Sequence, residues 1–234
     1  MGRPREEIVK IALDGPAGAG KSTVAKEVAK KLQMTYVDSG AMYRCVTFLA
    51  IKNHVAMQDE PGLFKLAKAM QLMFIPSEHG QGVQLDGVDV TDAIRTPEVG
   101  ALVPLVANHA LVRECLVEKQ REIAHTAYHV VMDGRDIGTH VLPDATVKVY
   151  LTATLDVRAK RRHEELVRQG FTGTVSDVMK LLHERDEIDG RREIAPMRPA
   201  SDAVILDTSC LAIHEVTAMV VSLCQARMHN EVSH

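Results

Sequence analysis

The chain has 234 residues, 46% of them hydrophobic and 25% charged, which is enough to bury the core of one α/β domain with insertions. Its formal net charge is −3, and its aromatic content is 3% without any Trp, so neither a generally basic nucleic-acid binder nor a base-stacking platform is indicated. The sequence contains no apolar run long enough for a membrane span, and its four cysteines are widely spaced, so we expect a cytoplasmic protein that binds neither nucleic acid nor membrane.

The first predicted element is a short apolar strand at 8–13, followed by a glycine-rich run at 14–23. Apolar residues then recur at helical spacing over 24–32, so the local order is strand, loop, helix. The run reads Asp14, Gly15, Pro16, Ala17, Gly18, Ala19, Gly20, Lys21, Ser22 and Thr23. It fits the pattern G-x-x-x-x-G-K-[ST], in which loop amides and a helix N-terminus surround phosphate oxygens.

The residue types in this loop determine the chemistry that we expect of it. Gly15, Gly18 and Gly20 allow the backbone to curl until successive amides face one anion. Lys21 supplies a cation for the β- and γ-phosphates, and the Ser22 hydroxyl is a ligand for Mg²⁺. The sequence therefore predicts a site for a nucleoside triphosphate with magnesium.

Short apolar strands and helices alternate after the loop. The predicted strands are 35–37, 129–132, 147–151 and 203–206. The predicted helices are 41–53, 61–71, 155–169, 175–192 and 211–227, with further helix between 96 and 126. This alternation implies a parallel sheet of four or five strands that is covered by helices on both faces.

One stretch departs from that alternation. A strand at 72–75 precedes a hairpin at 83–90, in which Asp86-Gly87 forms the two-residue turn. Across the turn Leu85 should face Val88, which would give the hairpin one apolar face. Because an antiparallel hairpin breaks the strand–helix rhythm, we interpret this stretch as an insertion.

Three polar segments follow predicted strands: 14–23, 38–44 and 133–136. Since ligands bind at the carboxyl ends of parallel strands, we expect these segments to meet in one crevice. The arginines that are candidates to bind phosphate there, through the planar fork of their guanidinium groups, are Arg44, Arg113, Arg135 and Arg185.

Two later helices carry charged faces. Helical spacing places Arg185, Asp189 and Arg192 on one face, and Arg158, Arg161 and Arg162 on a face of the preceding helix. Charged helical faces are usually solvated, and this is the interpretation that we give to Arg158, Lys160 and Arg168.

Taken together, these segments resemble the bacterial cytidylate kinases, a family of nucleoside monophosphate kinases, over essentially the whole chain. The segments that carry the resemblance are 14–23, 38–44, 92–95, 133–139 and 184–192. The resemblance implies an α/β fold: a parallel five-stranded P-loop NTPase sheet flanked by helices, with a small antiparallel β insertion in the NMP-binding region and a helical lid.

The same resemblance implies an organisation and an activity. It implies one P-loop kinase unit, 1–234, with a core at about 6–40, 105–155 and 200–230, an NMP-binding region at about 41–104 and a lid at about 156–193. The reaction would transfer a phosphoryl group from ATP, with Mg²⁺, to CMP and dCMP in pyrimidine nucleotide metabolism. We expect a monomer, because no segment has a long exposed apolar face.

The resemblance also implies roles for individual residues. Ser39, Arg44 and Arg135 would hold the acceptor phosphate, Arg113 and Asp136 the cytosine edge, and Arg185 with Asp189 the ribose; Tyr43 and Asp133 complete the acceptor-binding set. The residues expected to be catalytic are Lys21, Arg135, Arg161, Arg162 and Arg192. The chemistry of cytosine agrees with these roles, because its N4 amine requires an acceptor such as Asp136, and uracil reverses that polarity.

The sequence departs from the family pattern near the base pocket. Pro104 occupies the position, nine residues before Arg113, at which the family commonly has a serine that contacts cytosine. The proline usually found near Arg113 is also missing, and 109–111 reads His-Ala-Leu. We therefore expect a base pocket that is built somewhat differently.

Other functions remain open at this stage. A P-loop kinase for a hydroxyl acceptor, of the shikimate or gluconate type, would need a base, for which Asp38 or Asp136 could serve. A GTPase would need an Asn-Lys-x-Asp motif, which the sequence lacks. A non-catalytic nucleotide-binding or nucleic-acid-binding module would bind its ligand without turnover.

Overall fold

The computed structural model describes residues 8–77, 80–168 and 170–231. The expected start of the core at residue 6, the expected helix end at Gln169 and both ends of the expected 1–234 unit lie outside the described residues. The strands are β1 (Lys10–Asp14), β2 (Thr35–Asp38), β3 (Leu72–Ser77), β4 (Gly80–Leu85), β5 (Val88–Asp89), β6 (Val130–Asp133), β7 (Val147–Thr152) and β8 (Val204–Asp207). The helices are α1 (Lys21–Leu32), α2 (Ser39–Lys52), α3 (Glu60–Ala69), α4 (Pro97–Val106), α5 (Ala110–Thr126), α6 (Leu155–Arg168), α7 (Val175–Gly190) and α8 (Ile213–Glu231).

The main sheet positions the site. Within the described residues it has five strands in the order β2-β6-β1-β7-β8, and all neighbouring pairs are parallel. The predicted parallel five-stranded sheet is therefore confirmed. Because the strands run in the same direction, the segments after β1, β2 and β6 lie at the same edge of the sheet.

Each face of this sheet buries a separate cluster of apolar side chains. Ile11 and Leu13 point to one face and pack with residues of α1 and α8, whereas Ala12 points to the other face and packs with residues such as Val117 of α5. This follows from the two-residue period of a strand. Helices therefore cover both faces of β1, and β1 is fixed where it leads into the glycine-rich loop.

The insertion forms a small antiparallel sheet in the order β3-β4-β5 among the described residues. Asp86 and Gly87 form the predicted turn with φ of 51° and 80°, as a two-residue hairpin turn with positive φ at both positions requires. Leu85 pairs with Val88 as expected, but the expected apolar face is incomplete. Leu85 packs among the helices α2 to α5, whereas Val88 lies in the edge strand β5 and is 64% exposed.

Three features near the site differ from the sequence-based expectation. The helix predicted for 175–192 ends at Gly190, so Arg192 lies beyond it rather than on its face. A short 3₁₀ turn forms at Ala93–Arg95, and a single π-helical turn forms at Ile137–Val141; neither was predicted.

Of the helices in the described ranges, none is individually long and apolar enough to cross a membrane. Taken together, α4 and α5 meet the length and composition requirement, but they are bent by 103° relative to each other.

Candidate active site

The glycine-rich loop has the backbone conformation that its sequence predicts. Gly15, Gly18 and Gly20 all have positive φ, at 141°, 77° and 90°. A Cβ atom on Gly15 would lie 2.0 Å from the carbonyl oxygen of Leu151, and one on Gly18 would lie 2.8 Å from that of Arg158. Glycine is therefore required by conformation and by space, and the loop forms a P-loop between β1 and α1.

Lys21 begins α1 directly after the loop and is buried. Its Nζ atom donates a hydrogen bond of 2.7 Å to the carbonyl oxygen of Pro16. Burial, followed by the positive charges of Arg135 and Arg185, lowers the pKa of Lys21 well below its ordinary value. Cations that destabilise one another in this way mark a site that an anion would stabilise.

Ser22 contacts Asp133, which ends the neighbouring strand β6. The Ser22 hydroxyl donates a 2.8 Å hydrogen bond to Oδ2 of Asp133, and burial raises the pKa of that carboxyl. Asp133 was expected among the acceptor-binding residues, but its side chain lies beside the P-loop serine. A hydroxyl and a carboxylate fit Mg²⁺, because this ion takes one or two protein oxygens and completes its shell with water and phosphate oxygens.

Asp38, at the end of β2, forms ion pairs with two arginines. Its Oδ1 atom caps α2 by accepting from the amide of Ala41 at 2.9 Å, and its Oδ2 atom accepts from Arg44 at 2.6 Å and lies 3.5 Å from Arg95. Burial would raise the pKa of Asp38, but these guanidinium groups outweigh it and lower the pKa. Sequence reasoning assigned no role to Arg95, although the segment 92–95 that contains it was among those carrying the resemblance.

Ser39, the residue after Asp38, contacts the segment at the end of β6. Its hydroxyl donates to the carbonyl oxygen of Asp133 at 2.6 Å, and a Cβ atom on Gly134 would lie 2.6 Å from that hydroxyl oxygen. Two of the predicted polar segments, 38–44 and 133–136, are therefore in direct contact.

Arg113 and Asp136 form a buried ion pair. Nη2 of Arg113 donates to Oδ2 of Asp136 at 2.5 Å, and Nη1 donates to the carbonyl oxygen of Ala107 at 3.3 Å. The guanidinium carbon of Arg113 also lies 5.8 Å from the ring centroid of Tyr43, whose pKa burial raises to about 12. Three residues predicted to bind the acceptor therefore meet at one place, while Pro104 is buried in α4.

Asp189 connects α7 to the loop after β6. Its Oδ2 atom accepts from Nε of Arg135 at 2.9 Å and lies 3.9 Å from Nε of Arg185, and its Oδ1 atom accepts from Arg192. Arg192 therefore meets Asp189 although it lies beyond the helix. Burial and the charge of Arg135 lower the pKa of Arg185 to about 10, which again indicates an excess of positive charge.

The other two arginines that were predicted to be catalytic, Arg161 and Arg162 of α6, contact Thr208 and Glu165. Arg161 donates to the side chain and backbone oxygens of Thr208 at 2.9 and 2.6 Å. Arg162 pairs with the exposed Glu165 at 2.8 Å. The contacts of these two side chains therefore do not join them to Lys21 or Arg135.

The environment of Arg158 differs from the expectation. Arg158 was interpreted as solvated, but it is 7% exposed. It donates to the carbonyl oxygens of Ala153 and Ala17 and pairs with Asp186 at 2.7 Å. The reason is that the first turn of α6 packs directly on the P-loop. Lys160 and Arg168 are exposed, as expected.

Several buried arginine nitrogens have no hydrogen-bond partner in the described part of the chain. They are the Nε atoms of Arg44, Arg113, Arg185 and Arg192. Buried donors of this kind are almost always paired in native proteins. Because Arg44, Arg113 and Arg185 were predicted to bind the acceptor and Arg192 to be catalytic, these atoms point to a bound anion or polar base between the P-loop, α2, α5 and α7.

The fold and this site define a P-loop kinase, with one phosphate-binding loop and a second, arginine-rich site facing it. The sequence model of the family described as Cytidylate kinase matches residues 11–226. The chain belongs to the cytidylate kinase family.

Similar proteins agree with this assignment. The chain is 47% identical over 215 residues to proteins named cytidylate kinase from Bacillus cereus (strain ATCC 10987 / NRS 248) and Bacillus thuringiensis (strain Al Hakam), covering 92% of this chain and 95% of each relative. Among solved structures, an uncharacterized protein from Eubacterium ventriosum ATCC 27560 is similar, with a TM-score of 0.51, 14% identity and coverage of 94% of this chain and 99% of that one. At this identity the structural likeness concerns the fold alone.

Proposed function

We propose that the protein transfers the γ-phosphoryl group of ATP to CMP and dCMP, giving ADP with CDP or dCDP, in pyrimidine nucleotide metabolism. The observation that carries this proposal is that one segment, 133–136, contacts residues on both sides of the site. Asp133 contacts the P-loop serine Ser22, and three residues later Asp136 pairs with the buried Arg113. A base recognised at Asp136 would therefore be held at a fixed distance from a nucleotide bound by the P-loop.

On the donor side, residues 14–23 would hold the phosphates of ATP through their backbone amides, with Lys21 against the β- and γ-phosphates. Ser22 would bind Mg²⁺, and Asp133 would accept hydrogen bonds from its water ligands. When bound, the ion would neutralise charge on the phosphate oxygens.

On the acceptor side, Ser39, Arg44 and Arg135 would bind the phosphate of CMP. Arg113 would donate to O2 and N3 of cytosine, and the Asp136 carboxylate would accept from its N4 amine. Arg185 and Asp189 would contact the ribose. Tyr43, which packs beside Arg113, would form the wall of the base pocket.

The transfer needs no general base, because a phosphate oxygen of the acceptor is already ionised at neutral pH. That oxygen bonds to the γ-phosphorus, the bond from the γ-phosphorus to the β–γ bridging oxygen breaks, and ADP leaves with the electron pair. Catalysis then consists of bringing two anions together and neutralising charge in the transition state. Lys21, Arg135 and Arg192 would supply the positive charge for this. Arg135 and Arg192 both contact Asp189, which supports a common role for them.

Arg161 and Arg162 complete the proposed catalytic set only if the lid rearranges. At present Arg161 contacts Thr208, whose hydroxyl donates to the P-loop residue Ala19, and Arg162 contacts the exposed Glu165. We propose that the region at about 156–193 acts as a lid that exchanges these contacts for phosphate oxygens and excludes water. The rest of the proposed single unit is a core at about 6–40, 105–155 and 200–230 and an NMP-binding region at about 41–104.

We also propose a cytoplasmic monomer. Cys45, Cys115 and Cys224 are buried free thiols and Cys210 is an exposed one. Free cysteines in these positions suit a reducing compartment.

The proposal is tested by measuring ADP release from Mg·ATP with CMP, dCMP, UMP, AMP, GMP and shikimate, and without an acceptor. We expect turnover with CMP and dCMP far above that with the other acceptors. Comparable turnover of UMP would retain the kinase but show a relaxed base pocket, consistent with Pro104. Turnover that does not depend on any acceptor would contradict the proposed function.

A further inference from the structure

Tyr36 of β2 contacts the same carboxylate as the P-loop serine. Its hydroxyl donates a 2.8 Å hydrogen bond to Oδ1 of Asp133, while Oδ2 accepts from Ser22 at 2.8 Å. The Asp133 carboxylate is therefore held between two hydroxyl groups, one on each oxygen. Its orientation depends on both.

This contact is buried. Tyr36 is 8% exposed and Asp133 is 4% exposed, so water does not readily replace a lost donor.

Tyr36 is itself fixed, although β2 lies at the edge of the main sheet. The side-chain amide of Gln81, from β4 of the insertion, donates to the carbonyl oxygen of Tyr36 and accepts from the amide of Asp38 at 3.3 Å. One glutamine thus occupies the hydrogen-bonding groups that a neighbouring strand would use. The backbone that carries the Tyr36 hydroxyl has little freedom to move.

We propose that Tyr36 is a positioning residue for the corner of the site that holds the metal–nucleotide complex. Its hydroxyl fixes the Asp133 carboxylate so that Oδ2 stays directed at Ser22 and at the water shell of an ion bound there. The inference rests on the proposed function, because it requires that ATP binds with Mg²⁺. Tyr36 acts through Asp133 and contacts no reacting atom.

The test measures the dissociation constant of ATP by calorimetry, once with excess Mg²⁺ and once with EDTA, without an acceptor. The ratio of the two constants reports the contribution of the metal. In Tyr36→Phe we expect this ratio to fall about ten-fold relative to the wild type, as for a lost hydrogen bond to a charged group, with the affinity in EDTA unchanged. Tyr128→Phe is the matched control, because Tyr128 is 57% exposed and precedes β6 at the end opposite the site.

A ratio in Tyr36→Phe equal to that of the wild type would overturn the inference, and so would an equal loss of affinity with and without Mg²⁺, which would indicate a purely structural role. If Tyr36→Phe does not fold, Gln81→Ala, which removes both hydrogen bonds that hold the backbone beside Tyr36, is measured in the same way, and a ratio equal to that of the wild type would overturn the inference. A double-mutant cycle with Ser22→Ala adds a second criterion, since additive effects on the ratio would also overturn the inference. Wild-type turnover of CMP is measured in parallel. If the wild type turns over CMP but Mg²⁺ does not change its affinity for ATP, the inference is overturned and the proposed function is not. If the wild type does not turn over CMP, the proposed function is contradicted.

Discussion

The carboxylate of Asp14 accepts a 2.7 Å hydrogen bond from the backbone amide of Gly138, and its second oxygen accepts one of the same length from Ile137. Asp14 is the residue immediately before Gly15 of the P-loop, and the two amides begin the π-helical turn that follows Asp136. Asp14 was expected among the ATP-binding residues, and its carboxylate contacts the loop after β6. The strand β1, which leads into the P-loop, thus also holds the loop after β6 in place.

The free energy of unfolding should depend on pH through the ionisation of the Asp14 carboxyl. Burial raises its pKa from an ordinary 3.8 to about 6, against the effect of the two amides. Because the folded state binds this proton more tightly than the unfolded state, the contribution of Asp14 to the free energy of unfolding is present below pH 4 and is lost as the pH rises through about 6. In Asp14→Asn this contribution is absent. Urea unfolding from pH 4 to 7 should therefore show the wild type losing about 2 kcal/mol relative to the variant, and parallel curves would contradict the assignment.

Arg44→Ala should raise the KM for the acceptor by about ten- to a hundred-fold, because it removes a charged donor whose Nε atom has no partner in the described structure. The affinity for ATP should change little, since Arg44 contacts Asp38 rather than the P-loop. Steady-state kinetics at saturating ATP measure the first effect, and calorimetry measures the second. Arg168→Ala, at an exposed position in α6, is the control. Acceptor kinetics that are unchanged in Arg44→Ala would remove Arg44 from the site.

Lys21→Ala should lower kcat by orders of magnitude, about 10²- to 10³-fold, with the fold retained. The described structure shows one hydrogen bond of the Lys21 side chain, to the carbonyl oxygen of Pro16. Burial, followed by the charge of Arg135, lowers the pKa of Lys21, so we expect its loss to cost the fold little. Circular dichroism and thermal unfolding check the fold, and kcat is measured with CMP. A fully active Lys21→Ala enzyme would mean that the P-loop assignment is wrong.

Asp136→Asn should change both base selectivity and stability. The amide presents donors as well as an acceptor at position 4 of the base, so kcat/KM for UMP should rise relative to that for CMP. The variant also leaves the buried Arg113 charge without a negatively charged partner, which costs about 3–5 kcal/mol in a buried pair. The ratio of the two kcat/KM values and urea unfolding measure these effects.

Asp202→Asn is the matched control, because Asp202 pairs with Lys148 at an exposed position and such pairs contribute little. An Asp136→Asn enzyme with the selectivity of the wild type would place the base elsewhere.

Local patterns were sufficient to predict much of this architecture. The P-loop, the alternation of strands and helices and the Asp86-Gly87 turn depend on residues close together in the sequence, and the structure confirms all three. The family resemblance alone placed Arg113 and Asp136 together, at the cytosine edge, because no spacing rule relates a residue of α5 to one after β6. Their buried ion pair was not predicted.

Contacts that depend on tertiary packing were missed. The charge pattern of α6 suggested that Arg158 is solvated, but packing on the P-loop overrides that pattern. Arg192 was placed on a helical face because the pattern continues past Gly190, where the helix ends. The contact of Tyr36 with Asp133 spans 97 residues and depends on strand order, which local sequence does not encode.

The strand order has a consequence for how the site is assembled during synthesis. In the sheet, β6 lies between β2 and β1, yet it is made after both, and 94 residues separate Ser39 from Asp133. Closing so long a loop carries an entropic cost that local helices do not bear. On a ribosome that makes the chain from its N-terminus, the P-loop and Arg44 emerge while the gap between β1 and β2 is still empty. Insertion of β6 into that gap then brings Asp133, Arg135 and Asp136 into place together, so one late folding event adds residues to both substrate sites, and Arg185 and Asp189 of α7 join them afterwards.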